Sequence, residues 1–153
     1  MKEPAFVPKP GQVDYTKIRY CPVVNCVVRH GDEVLLQRRS PGMRLYPGCW
    51  SGVSGFLDTS DDIQVKIYEE LEEEYKLDAD DVANIRIGRV IVQEAPDYGK
   101  TWIVFPAEVI LKKKVEPQLN WEVAEARWLK PSDARQLDLL PGFEAVLAAF
   151  FDI

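Results

Sequence analysis

Between Ile63 and Tyr75 the chain reads Ile-Gln-Val-Lys-Ile-Tyr-Glu-Glu-Leu-Glu-Glu-Glu-Tyr, and no other stretch restricts its own conformation so tightly. At about 100° per residue, Ile67, Tyr68, Leu71 and Tyr75 share one stripe roughly 100° wide. That pattern predicts an amphipathic helix, from about Ser60 to Tyr75, with the stripe against a core. Thr59 or Ser60 is placed to cap it, and Asp61 and Asp62 occupy the first turn, where the helix dipole favours anions. Glu70, Glu73 and Glu74 share a neighbouring sector, because spacings of three and four bring side chains together. Like charges so placed cost a few tenths of a kcal/mol per pair at an exposed site. A glutamate-rich helix often presents only a solvated face. The sharper reading is that something positive offsets the cluster. A hard dication such as Mg2+ takes carboxylate oxygens while keeping waters, and bridges to phosphate.

Around the helix the chain reads as short strands. Residues 1 to 18 carry Pro4, Pro8, Pro10 and Gly11 and predict an extended N-terminal arm; residues 19–153 predict a single domain. Cys21 to Val28 is β-branched and short, His30-Gly31-Asp32 supplies turn chemistry, and Glu33 to Arg38 completes a hairpin. Trp50 to Ser54, Ile85 to Gln93, Trp102 to Leu111 and Glu125 to Leu129 read as further strands, with Pro96-Asp97-Tyr98-Gly99-Lys100 as a turn. Pro131-Ser132-Asp133 opens a small helix, and Gly142 to Phe151 is a last apolar one. Strands and helices mix without regular alternation, which predicts an α+β fold with a mixed sheet packed between helices.

Composition excludes several classes. No run of roughly 18 apolar residues exists, so no membrane span is expected. Met1-Lys2-Glu3-Pro4 has an acid and a proline where a secretory leader needs apolar residues, and the expected compartment is the cytoplasm. The three cysteines, Cys21, Cys26 and Cys49, form no C-x-x-C pair and read as reduced thiols. Net charge is −6, with no basic stripe for duplex nucleic acid. That acidic excess would repel a phosphate-bearing ligand unless a cation mediates.

Two other chemistries fail on spacing. His30 is the only histidine, and no serine near it sits in a nucleophile-elbow motif. Gly99-Lys100-Thr101 imitates the end of a phosphate-binding loop, but position 94, where its first glycine belongs, is Glu94.

The segment Gly55 to Leu77 resembles the Nudix box, G-x5-E-x7-R-E-U-x-E-E-x-G-U with U aliphatic. Gly55, Glu70, Leu71, Glu73, Glu74 and Leu77 match over 23 residues without a gap. Three positions depart: Asp61 stands for glutamate, Glu69 for arginine, and Lys76 for the glycine at the helix end. The arginine ordinarily orients the catalytic carboxylates by an ion pair. Lys66, one turn before Glu70, is placed to neutralise the acidic sector instead. Lys76 fits a left-handed cap only at a small steric cost and is expected to reshape the turn without destroying it. The resemblance extends over roughly residues 20 to 135. Val34-Leu35-Leu36-Gln37-Arg38-Arg39 is similar to the family's strand before the box, and Tyr46-Pro47-Gly48-Cys49-Trp50 to its lead-in. Glu122 to Leu129 is similar to the segment before its last helix.

What the resemblance implies is an α/β/α sandwich that hydrolyses a nucleoside diphosphate derivative with Mg2+ or Mn2+. Glu70, Glu73 and Glu74 would be metal ligands, and one of them or Glu122 would be the base; Glu125 is the second choice for that loop position. Arg38, Arg39 and Arg44 flank the implied site and are candidates for phosphate contacts, or for pairing with surface acids. Tyr98 is a candidate for stacking on a base. Trp50, Trp102, Trp121 and Trp128 read first as packing residues. The implied partner is a nucleotide-like small molecule, and a homodimer is left open. The competing class is a non-catalytic Nudix-fold module that binds a nucleotide or a partner. Glu69 and Asp61 favour that module, and the three retained glutamates favour the hydrolase. The strand and loop are also similar to the isopentenyl diphosphate isomerase branch. That chemistry needs a cysteine after the tryptophan, where Ser51-Gly52-Val53-Ser54 follows.

Overall fold

The computed structural model describes residues 2–153. Strand β1 (Tyr20–His30) and strand β2 (Glu33–Arg39) form the expected hairpin, closed by the pair Gly31-Asp32 with His30 opposite Glu33. Gly31 has φ 60°, a left-handed turn conformation that a residue without Cβ adopts cheaply. Strands β3 (Trp50–Ser51) and β4 (Val53–Phe56) pair with β2 and β1 respectively. Helix α1 covers Ile63–Tyr75, and strands β5 (Val82–Ile87) and β6 (Ile91–Ala95) follow it. Strand β7 (Lys100–Leu111) runs parallel to β1 and carries both β5 and β6 antiparallel on its other side. Strand β8 (Val123–Leu129) returns to β2, and the short helices α2 (Pro131–Ala134) and α3 (Phe143–Ala148) complete the chain.

The result is one mixed eight-stranded sheet with a helical layer on each face, the α/β/α sandwich expected for this α+β chain. Strand alternation divides the core. Val24, Cys26 and Val28 of β1 pack with Ile67, Leu71 and Tyr75 of α1. Val27, with Val34 and Leu36 of β2, packs on the opposite face with Phe143, Val146 and Leu147 of α3. Ile67 and Leu71 are fully buried, at about 1.5–3 kcal/mol each, which fixes the rotation of α1 and hence where its glutamates point. Among the described residues no helix is long and apolar enough to cross a membrane.

Several local expectations fail for physical reasons. Helix α1 begins at Ile63 and not at Ser60, so Asp61 and Asp62 lie before its first turn. The strand expected from Trp50 to Ser54 is interrupted at Gly52, where an added Cβ would stand 1.9 Å from Cys26 O, and becomes β3 and β4. Neither Thr59 nor Ser60 caps α1; the N-cap is Asp62, without a side-chain bond. The Thr59 hydroxyl is engaged with Asp61 Oδ2 at 3.0 Å, a local turn that competes with capping. The strand expected from Ile85 to Gln93 is broken into β5 and β6. At the break Gly88 donates its N–H to Pro106 O at 2.8 Å, and an added Cβ there would stand 3.0 Å from Pro106 Cγ. At the other end of α1 Lys76 takes the left-handed cap, φ 57°, with its N–H donating to Glu72 O.

Candidate active site

The acidic helix lies over β4, where Gly55 faces it. A Cβ on Gly55 would stand 2.5 Å from Glu70 Oε1 and 3.1 Å from Lys66 Cε, so only glycine leaves Glu70 its place against the sheet. Glu70 is buried, Glu74 half-buried and Glu73 exposed. Lys66 Nζ lies 3.2 Å from Glu70 Oε1, 3.7 Å from Asp58 Oδ1 and 3.8 Å from Glu69 Oε2. Burial alone would lower the Lys66 pKa, yet Glu70, Asp58 and Glu69 together raise it.

The other side of the site comes from the sheet. Strand β8 sets Val123 opposite Arg39, and Ser40 N donates to Glu122 O at 2.8 Å, so Glu122 stands beside the end of β2. The register shifts between Arg38 and Arg39, and this irregularity separates the two arginines. Arg39, its Nε held by Leu45 O at 2.7 Å, is within electrostatic reach of Glu3, Glu122 and Glu74. Burial lowers its pKa and those carboxylates oppose the change.

Four carboxylates thereby feel one another. Burial pushes Glu70 up to about 7; Lys66 opposes this, while Glu73 and Glu122 add to it. Glu74 is likewise pushed up to about 7 by burial, reinforced by Glu122, Glu70 and Glu73 and opposed by Arg39. Glu122 is raised by burial, against the influence of Arg39 and with that of Glu73. Glu74 Oε2 is buried and, among the described residues, has no hydrogen-bond partner. An orphaned carboxylate oxygen beside three other acids is a costly arrangement that a cation would relieve. Among the described residues no three His, Cys, Asp or Glu side chains converge into a ready-made cage. Mg2+ suits such a site, because it is commonly held through one or two carboxylates and keeps several waters.

A cavity of about 190 Å3 opens beside the cluster, reached by Arg39 and Glu122 at one end. A smaller recess between Arg39, Glu122 and Glu74 adjoins it. Leu45, Tyr46, Phe56 and Trp102 give the cavity apolar and aromatic walls. The rings of Phe56 and Trp102 stand 6.0 Å apart, and Trp102 Nε1 donates to Tyr46 Oη at 2.8 Å.

Of the residues singled out in the sequence, Glu70, Glu73, Glu74, Glu122 and Arg39 come together. Three do not. Arg38 pairs with Glu125 at 3.4 Å. Arg44 pairs with Glu3 at 2.8 Å and lines a neighbouring cavity and not this one. Tyr98 accepts from Tyr46 N at 2.9 Å and meets the Tyr46 ring edge-on at 4.7 Å, so it braces a wall residue. Asp58, Asn25 and Glu3 were not anticipated. None of the three carries a local sequence signal, since each is brought to the site by contacts distant in the chain.

The family model described as NUDIX domain matches residues 19–150 of the chain. None of the curated proteins matches it. Among solved structures, a MutT protein from Methanosarcina mazei Go1 superposes with a TM-score of 0.70 at 19% identity, covering 86% of this chain and 93% of its own. An Ap4A hydrolase from C. elegans, solved as a binary complex, gives 0.67 at 20% identity, with 85% and 94% covered. The NUDIX domain of Shewanella oneidensis NrtR, solved with ADP ribose, gives 0.68 at 17% identity, with 87% and 86% covered. At these identities the likeness is one of fold.

Proposed function

The chain belongs to the Nudix family, and from that premise we propose that it is a metal-dependent hydrolase cleaving a pyrophosphate bond in a nucleoside diphosphate derivative. The observation that carries this reading is the buried, unpartnered Glu74 Oε2 within a group of four mutually repelling carboxylates. A chain with no cation to bind gains nothing from such a cluster.

Glu70, Glu73 and Glu74 would hold Mg2+ or Mn2+, which when bound supplies positive charge to phosphoryl oxygens and acidifies a coordinated water. Lys66 takes over the orienting role of the arginine that Glu69 replaces, by fixing Glu70 from one turn earlier. Arg39 stands where the carboxylate recess meets the aromatic cavity, and its remaining N–H groups suit phosphate oxygens. Glu122, half-buried with a raised pKa, is the group best placed to take a proton from an attacking water. The Ap4A hydrolase and the domain holding ADP ribose, whose fold the chain shares, support a nucleotide ligand. With net charge −6 and no basic stripe, that ligand is a small molecule and not a duplex, and the proposed compartment is the cytoplasm.

The second reading, a non-catalytic binding module, is favoured by Glu69 in the arginine position. The test is a panel of nucleoside diphosphate derivatives incubated with Mg2+ or Mn2+, with phosphate-containing products quantified. Hydrolysis of at least one member, lost in Glu73→Gln and Glu74→Gln, is expected. Binding without hydrolysis of any member would favour the module.

A further inference from the structure

Residues 2–19 form no strand or helix, yet they are stitched to the domain along their length. Lys100 is buried, and its ammonium donates to the carbonyls of Tyr15, Thr16 and Ile18, so every N–H it carries is spent on this segment. The Tyr15 ring stacks on Phe56 at 5.6 Å with an interplanar angle of 9°. Gln12 Nε2 donates to Asp58 Oδ2 at 2.7 Å, and Val13 N to Asp58 O at 2.7 Å. Near the start, Glu3 N donates to Gly42 O at 3.1 Å. Glu3 Oε2 accepts from Arg44 N at 3.1 Å and from Arg44 Nε at 2.8 Å.

These contacts hold the Glu3 carboxylate in the wall of the 190 Å3 cavity, among the same lining residues as Phe56, Trp102 and Arg39. Among the described residues its Oε1 takes no hydrogen bond. An ionised carboxylate oxygen can only accept. The aromatic walls suit a flat ring, and the free oxygen of Glu3 asks that ring for N–H donors.

Resting on the reading of this site as a nucleotide site, we propose that the N-terminal arm is a working wall of the cavity and that Glu3 selects a guanine-like ring. Guanine presents a ring N–H and an exocyclic amino group side by side on one edge. With Oε2 taken by Arg44, Oε1 has two lone pairs free and can accept both. Adenine and uracil each offer one donor on that edge with a ring-nitrogen or carbonyl lone pair beside it, which sets Glu3 against another acceptor. Glu3 also repels phosphate, so the phosphate chain is directed to Arg39 and the glutamate cluster. The arm thus fixes the direction in which a nucleotide lies.

The probes are the α,β-methylene diphosphates of guanosine, adenosine and uridine, which have no cleavable pyrophosphate oxygen. They are titrated with Mg2+ into the full chain, by calorimetry and by quenching of tryptophan fluorescence. The guanosine compound is expected to bind about 10-fold tighter or more, the discrimination of one good two-point contact. Glu3→Gln should reduce that preference to about 3-fold or less, with an unchanged circular dichroism spectrum. Glu3→Asp should retain part of it. Equal binding of the three, binding of none, a preference for adenosine or uridine, or an undiminished preference in Glu3→Gln overturns the proposal. The two readings separate cleanly. Hydrolysis without ring preference sinks this one alone, and ring preference without hydrolysis of any substrate sinks only the enzymatic reading.

Discussion

Lys66 Nζ stands 3.2 Å from Glu70 Oε1, one turn along α1, and holds the most buried of the four clustered glutamates in place. The same ammonium reaches Asp58, itself held by Gln12, so Glu70 is fixed from the helix and from the loop after β4. Lys66→Ala removes the cation paired with Glu70 and is expected to lower kcat/KM by about 10- to 100-fold, the usual effect of losing a group that orients a metal ligand. Lys66→Arg should retain most of the activity. A Mg2+ titration of the rate distinguishes weakened metal binding from a lost base, and an unchanged rate in Lys66→Ala refutes the assignment.

Gly55 makes the same point sterically. Its added methyl would sit 2.5 Å from Glu70 Oε1 and 2.8 Å from Glu70 Cδ. Gly55→Ala therefore forces Glu70 off the sheet or splays α1, at about 1–3 kcal/mol. Urea denaturation should show that loss, and hydrolysis should fall further than it does for Gly31→Ala in the β1–β2 turn, where φ 60° strains the backbone but nothing lies within 4 Å of the added carbon. Equal effects of the two on hydrolysis would mean that close packing under Glu70 is unimportant.

Away from the site, Glu108 on β7 is wholly buried and bridged by Arg86 Nε at 2.7 Å and Arg29 Nη1 at 3.1 Å. Those arginines lie over the rings of Phe150 and Phe151, which ties the end of the chain to the sheet. Losing either arginine leaves Glu108 one partner. Losing both strands a charge in the interior, and Arg29→Met/Arg86→Met is expected to lower Tm by about 10 °C, more than the two single changes added. Thermal melts of the three variants check this, and simple additivity would contradict it.

What could be read beforehand was local. Helix α1, the hairpin and the Lys76 cap follow from side-chain period and turn chemistry within a few residues. Glu70, Glu73 and Glu74 meet because helical spacing makes them meet. Glu122 joins them by virtue of a resemblance and not of any period. Arg38 and Arg39 were indistinguishable, since the irregularity that separates them arises only when β8 pairs with β2. Tyr98 reads as an exposed turn aromatic until Tyr46, 52 residues away, takes up its hydroxyl. Glu3 is set by Gly42 and Arg44, 41 residues from the latter, and no spacing rule operates at that range.

The glutamate cluster also makes the metal-free protein sensitive to pH in an unusual direction. Glu70 and Glu74 titrate near 7 when folded, against about 4.3 in an unfolded chain. A raised folded pKa means that the native state holds the proton more tightly. Its stabilising effect is complete below about 4.3 and is lost as pH rises through 7. In EDTA, Tm is expected to fall by roughly 5–10 °C between pH 5 and pH 8. Adding Mg2+ should recover most of that loss at pH 8 and do little at pH 5, where protonated carboxylates compete with the cation. Glu74→Gln removes one of the repelling charges, so it should raise the metal-free Tm at pH 8 and flatten its pH dependence. Differential scanning calorimetry with and without Mg2+ measures all of these. A metal-free Tm that holds constant or climbs across that interval would show that the four carboxylates do not repel one another as their burial requires.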